Sequence, residues 1–210
     1  MAIFVVVLWF LLSTSGIGGS RSEFNYLPIP IHTERHPVTN LIRLPHRLSH
    51  KKIPKIQHLP VPETLQEKQL REGRLEEVRD AFLHAWNGYK KEAWAKDELR
   101  PIAGGYKTPF CGWAATMVDS LDTLWIMGLY HEFELSLVEL NNVDFTNTVG
   151  CQINLFETTI RHLGGLLSAF DISGEKYPIL VHKAVELAEI LYTAFDTPNR
   201  MPSPHFFWSA

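Results

Sequence analysis

Apolar positions along this chain recur mostly at steps of three and four. Leu75, Val78, Phe82, Trp86, Tyr89 and Ala93 make one stripe, and Glu76, Glu77, Arg79, Asp80, Lys90 and Lys91 fill the opposite face. This spacing predicts an amphipathic helix from Gln66 to the break at Arg100-Pro101 and Gly104-Gly105. A second helix is expected between Gly112 and Gly128, where WAATMVDSLDTLWIM is apolar on most sides, and a third over Tyr130 to Leu140. The fourth is NLFETTIRHLGGLLSAF, Asn154 to Phe170, closed by Ser173-Gly174. The fifth begins near Glu175, takes Pro178 in its first turn, and runs to about Phe195 on Leu180, Ala184, Leu187 and Leu191. No strand pattern of comparable strength is present, so the expected fold class is all-α. Consecutive helices on short loops pack as antiparallel hairpins, and these build a bundle, a solenoid or an α/α barrel. Periodicity does not choose among the three, and no repeat of fixed length is visible.

The N-terminal part follows different rules. Residues 3–12, IFVVVLWFLL, are an apolar run shorter than the ~20 residues of a spanning helix, with small residues behind it. Residues 1–20 therefore read as a signal peptide, or as a signal anchor with membrane contact through residues 3–19. Both readings direct the chain into the secretory pathway. Residues 21–65 carry Pro28, Pro30, Pro37, Pro45, Pro54, Pro60 and Pro62, together with Arg43, Arg47, Lys51, Lys52 and Lys55. Proline at this density forbids a long helix, and a disordered basic stem is expected.

The fourth helix carries the chemistry. On a straight helix, Phe156, Ile160, Leu163, Leu167 and Phe170 share one face, expected to be core. Glu157, Arg161, Gly164 and Ser168 form a second stripe about 100° around. Glycine inside a helix costs roughly 1 kcal/mol against alanine, so Gly164 and Gly165 imply a closely packed neighbour or room for a ligand. The plain alternative is an exposed Glu–Arg pair worth about 0.3–0.5 kcal/mol. Asp119 and Asp122 sit three apart in the second helix, where a buried carboxylate needs a partner. A structural role is favoured for both, and Trp113 and Trp125 read as core rather than as platforms for a sugar.

Composition then narrows the partners. The formal charge of −3 gives no reason to expect a nucleic-acid partner. Ten histidines show no metal-ligand spacing, and Cys111 and Cys151 are the only cysteines. Two cysteines define neither a metal site nor a disulfide framework, although in a secretory compartment they could pair. GxSxG, Walker, HExxH and CxxC motifs and Asn-x-Ser/Thr sequons are absent.

The segments AFLHAWNGYKKEAWAKDELRPI, GWAATMVDSLDTLWIMGLYHEF, NLFETTIRHLGGLLSAFDISG and AFDTPNRMP, in this order, resemble the class I α-1,2-mannosidases of glycoside hydrolase family 47, the fungal members most. The resemblance runs from about Gln69 to Pro202. It implies the N-terminal part of an (α/α)7 barrel and inverting hydrolysis of α-1,2-linked mannose on high-mannose N-glycans in the endoplasmic reticulum or Golgi. By the same resemblance Glu157 occupies the general-acid position and Arg161 a substrate-binding one. A Ca²⁺ cofactor is implied, with its ligand outside this chain; no metal is assigned to residues within it. Inverting hydrolysis also needs a base carboxylate, roughly 6.5–9.5 Å from the acid, and the family's base lies in later segments.

Residues 66–200 are thus expected to be the N-terminal part of a catalytic domain, and 201–210 a divergent tail. A truncated, inactive fragment is the expectation. A lectin-like recogniser of glycoproteins and a helical interaction protein are the alternatives. A partial barrel would leave apolar faces uncovered, with Trp113, Trp125, Phe133, Leu187 and Leu191 as candidates for exposure.

Overall fold

The computed structural model describes residues 24, 26, 28–40, 54, 56–148 and 150–208. The expected signal or anchor at 1–20 lies outside the described residues. Among the described residues no helix is long and apolar enough to cross a membrane. The chain divides into two compact units, residues 37–86 and residues 1–36 with 87–210.

Helix α1, Leu65–Ala93, starts where the sequence sets a capping box. Thr64 Oγ1 accepts from the Glu67 N–H at 3.3 Å, and Glu67 accepts from the Thr64 N–H at 2.8 Å, which satisfies two of the orphan donors of the first turn. Its predicted stripe is buried at Trp86, Tyr89 and Ala93, whereas Leu75 and Val78 stay exposed.

In the larger unit, β1 (Glu98–Leu99) pairs antiparallel with β2 (Tyr106–Lys107). Helices α2 (Ala115–Asp119) and α3 (Leu121–Ile126) replace the single second helix of the sequence reading. Helix α4 covers Tyr130–Leu140, as expected. The fourth predicted helix is α5 (Leu155–Thr158), a π-helical turn over Thr159–Leu163, and α6 (Gly164–Ile172). Helix α7 is Pro178–Tyr192, followed by a 3₁₀ turn at Thr193–Phe195. Strand β3 (Ile153–Asn154), just before α5, pairs antiparallel with β4 (His205–Phe206) in the tail. The architecture is all-α with two very short strand pairs that the sequence reading did not contain.

Helix α6 packs against α3 and α7, α3 against α4, and the π turn against α2 and α7. The core between them holds Trp113, Met117, Leu121, Leu124, Phe133 and Leu166. Four of the five residues expected to be exposed are buried here, namely Trp113, Phe133, Leu187 and Leu191. Trp125 is half-buried, with its ring 4.7 Å from Tyr130 and 5.1 Å from Phe133 between centroids. The hairpins already present cover these side chains.

On the fourth predicted helix the exposed apolar side chains include Phe156 (66%) and Ile160 (50%), the residues expected to lead a core face. Of the expected core face, Leu163 and Phe170 are buried and Leu167 is half-buried, and they share the interior with Thr158, His162, Gly165, Leu166 and Ala169. Gly165 explains the difference. A Cβ there would sit 2.9 Å from the Val118 carbonyl oxygen and 3.6 Å from Asp119 Cα. The missing side chain lets the backbone of the α2–α3 corner approach on that side.

Two polar devices hold the unit together. Buried Asp97 accepts N–H groups from Phe110 (2.7 Å), Gly112 (2.9 Å) and Ala115 (3.2 Å). Burial pushes its carboxyl pKa up, while those three N–H groups pull it back. They fix a loop in which Cys111, Gly112 and Ala114 all have positive φ. Cys111 is disulfide-bonded to Cys151, 40 residues on, and a loop of that length constrains the unfolded chain by about 4 kcal/mol.

Candidate active site

Asn154 starts the site. It is the N-cap of α5, and its Oδ1 accepts the Glu157 N–H at 3.0 Å, which fixes the turn that carries the acid. The π turn begins two residues later. Such turns insert an extra residue into a helix and are frequent at functional sites. Here it carries Arg161 and His162.

Arg161 Nε donates to Glu157 Oε2 at 2.8 Å, and Arg161 Nη1 donates to Asp119 Oδ2 at 3.2 Å. The bonds to Glu157 and then Asp119 hold the guanidinium above its already high pKa. The face of Phe110 lies 5.6 Å from Arg161 Cζ, in cation–π range. Side-chain exposure is 31% for Glu157, 40% for Arg161 and 44% for Asp119. The group is open to solvent yet ordered by hydrogen bonds on one side.

Farther along the same stripe, Ser168 Oγ donates to Asp122 Oδ2 at 2.8 Å, and Thr123 Oγ1 donates to Asp122 Oδ1 at 3.3 Å. The two aspartates of VDSLDTLW therefore both face the Glu157–Ser168 stripe, Asp119 toward Arg161 and Asp122 toward Ser168. The glycines have different roles. Gly165 admits the α2–α3 backbone, whereas a Cβ at Gly164 would meet only the Thr159 carbonyl oxygen of its own helix, at 3.5 Å.

Behind the stripe, His162 is fully buried, with ring centroids of Phe110, Trp113 and Phe145 each 6.1 Å away. Neither of its ring nitrogens has a hydrogen-bond partner within 3.5 Å. Burial pushes its pKa down to about 4, so the ring is neutral at physiological pH.

Sequence reasoning named Glu157 and Arg161 but missed Asn154, Phe110 and the pairing of Asp119 with Arg161. Asn154-x-x-Glu157 has the spacing of an N-cap motif, so the cap was readable. Phe110 was not, because only the loop held by Asp97 and the disulfide brings it beneath Arg161. Among the described residues no three His, Cys, Asp or Glu side chains gather into a group able to hold a metal ion.

Comparison with known proteins gives this geometry a context. The family model for glycosyl hydrolase family 47 matches residues 81–210. The endoplasmic reticulum mannosyl-oligosaccharide 1,2-alpha-mannosidase of Rattus norvegicus is 45% identical over 126 residues, 60% of this chain and 18% of that protein. The mannosyl-oligosaccharide 1,2-alpha-mannosidase MNS1 of Arabidopsis thaliana is 45% identical over 130 residues, 61% of this chain and 22% of that protein. The solved alpha-1,2-mannosidase from Trichoderma reesei superposes with a TM-score of 0.60 at 34% identity, over 64% of this chain and 30% of that one. The chain thus spans about a fifth of the two curated relatives and under a third of the solved structure, and its helices correspond to part of an (α/α)7 barrel. The chain belongs to glycosyl hydrolase family 47.

Proposed function

We propose, from this membership, that the chain carries the general-acid segment of an inverting α-1,2-mannosidase acting on high-mannose N-glycans. Glu157 protonates the leaving glycosidic oxygen, and Arg161 binds the sugar. The observation that supports this reading best is the Asn154–Glu157–Arg161–Asp119 arrangement, in which the carboxyl is ordered but reachable from solvent.

The geometry suggests how the acid is made ready. In the free chain Arg161 donates to Glu157, whereas a general acid must point its own proton at the substrate. Glu157 must lose this bond as the glycan seats. Asp119, already bonded to Arg161, can retain the guanidinium while its other N–H groups turn to sugar hydroxyls. Protonation of the leaving group is half of the reaction. The base that activates water on the opposite face belongs to parts of the family fold outside these residues, so the 210-residue chain alone releases no mannose.

A calcium ion, where the family uses one, takes several oxygen ligands. The described residues do not fit it: Glu157 and Asp119 are both engaged by one arginine, and no cluster is gathered. We therefore assign no step to a metal in this chain. Residence in the secretory pathway is supported by the Cys111–Cys151 disulfide, because such bonds persist in oxidising compartments. It is also supported by the endoplasmic reticulum relatives. A membrane anchor at residues 3–19 rests on the sequence reading only.

The reading is tested in a chimaera in which residues 81–210 replace the matching third of the Trichoderma reesei enzyme. Mannose release from a high-mannose glycan should fall at least 100-fold on Glu157→Gln, within the range for loss of a general acid. Equal rates for the chimaera and its variant would exclude Glu157 as the acid.

A further inference from the structure

Tyr26 and the segment 28–36 lie upstream of the family match, which begins at residue 81, and by sequence this stretch is only part of a stem. The structure ties it to the far end of the chain. Asp196 Oδ2 lies 2.8 Å from His32 Nε2 and accepts the Arg35 N–H at 2.7 Å, while Oδ1 accepts the His36 N–H at 2.8 Å. His36 Nδ1 is 3.2 Å from the Asp196 carbonyl oxygen. Arg200 Nη2 donates to Glu34 at 2.9 Å, and the Tyr26 ring rests 4.4 Å from His182 of α7. The Asp196 side chain is only 5% exposed. The Arg35 N–H first, then the His32 ring and the His36 N–H, hold its carboxyl well below the usual carboxylate range.

The contacts continue toward the acid. The ring of His32 lies 6.4 Å from that of Trp208, and the Trp208 carbonyl accepts from Thr148 Oγ1 at 2.7 Å. The Ser203 N–H donates to the Ala194 carbonyl at 2.9 Å, next to Asp196. Two residues later β4 pairs with β3, and the Leu155 N–H donates to the Pro204 carbonyl at 3.0 Å. Asn154 Nδ2 is 3.1 Å from His205 Nε2, and the same side chain caps Glu157.

We propose that residues 28–36, with Tyr26, are a strap that clamps Asp196 and the tail, and thereby positions the Asn154 cap and Glu157. Its importance for catalysis rests on the reading of Glu157 as the acid. The link from strap to cap stands on the contacts alone. The strap is an integral part of the larger unit, and a protein cut at the family boundary would lose it.

Amide hydrogen exchange on the full chain tests the link. Asp196→Ala should release the Arg35 and His36 amides and speed exchange at Leu155 and Glu157 at least tenfold, with α4 (Phe133 to Leu140) unchanged. Glu34→Ala, which leaves Asp196 in place, should give the same pattern at two- to threefold. Strap release that leaves Leu155 and Glu157 unaltered would overturn the proposal. So would acceleration spread equally into α4 in both variants. Because exchange reads position and not turnover, failure here leaves the acid role of Glu157 standing. Equally, failure of the chimaera test leaves the strap standing.

Discussion

Two acid–base pairs one helical turn apart sit on neighbouring helices, and they do different work. Lys183 and Glu186 on α7 are both fully buried, with their charged atoms 2.9 Å apart. Their remaining hydrogen-bonding capacity goes to backbone: Lys183 donates to the Val143 carbonyl and Glu186 accepts the Phe145 N–H at 3.1 Å. They staple the loop after α4 onto α7. Glu157 and Arg161 are bonded just as closely, at 2.8 Å, but stay about a third exposed and take their further partners from side chains. One pair is closed by the fold. The other is left where a ligand can reach it. Chemical identity and spacing are nearly the same, so only burial and the choice of outer partners separate staple from candidate site.

Removing half of each pair should separate them most. Glu186→Ala leaves a buried ammonium without its carboxylate, and a cost of about 3–5 kcal/mol is expected in urea denaturation. Replacing both partners, Lys183→Met with Glu186→Leu, should cost less than the single change, since no charge is then stranded. Equal losses would show that the ion pair is not what holds this loop.

Acid should sharpen the contrast through His162, which lies behind the open pair. Its pKa is about 4 in the folded chain, lowered by burial from the ordinary value of 6.5. The unfolded chain therefore takes up the proton first. Stability from this group is complete above pH 6.5 and is lost as pH falls toward 4. Between pH 7 and 4.5 the loss is roughly 2.5 kcal/mol. His162→Phe should flatten that part of the stability profile, and an unchanged slope in the variant would assign the loss to other groups.

The smallest expected effect belongs to the open pair itself. Glu157→Gln should change stability by less than about 0.5 kcal/mol, as for exposed ion pairs, although the same substitution is the one expected to slow mannose release at least 100-fold in the chimaera. A loss of several kcal/mol would make Glu157–Arg161 a second staple and remove the contrast.

Much of this was written in the sequence. Helix α4, the start of α1, the helix-breaking glycines and the Glu157–Arg161 spacing are local features, set by periodicity, capping and the freedom of glycine. They need no knowledge of distant residues. The core face of the fourth helix was read correctly at Leu163 and Phe170 but misread at Phe156 and Ile160, because an evenly spaced wheel weighs apolar volume. It gives no weight to the small face at Gly165, where the backbone of α2–α3 comes closest, or to the extra residue of the π turn.

The remaining features depended on contacts between residues far apart in the chain. The Cys111–Cys151 bond, Phe110 beneath Arg161, the pairing of Asp119 with Arg161, the β3–β4 pair and the strap on Asp196 each join residues 40 or more positions apart. Sequence alone determined which side chains could carry acid–base chemistry and which helices present them. Tertiary packing decided which acid–base pair was sealed and which was left open, because desolvation depends on neighbours that no local pattern records.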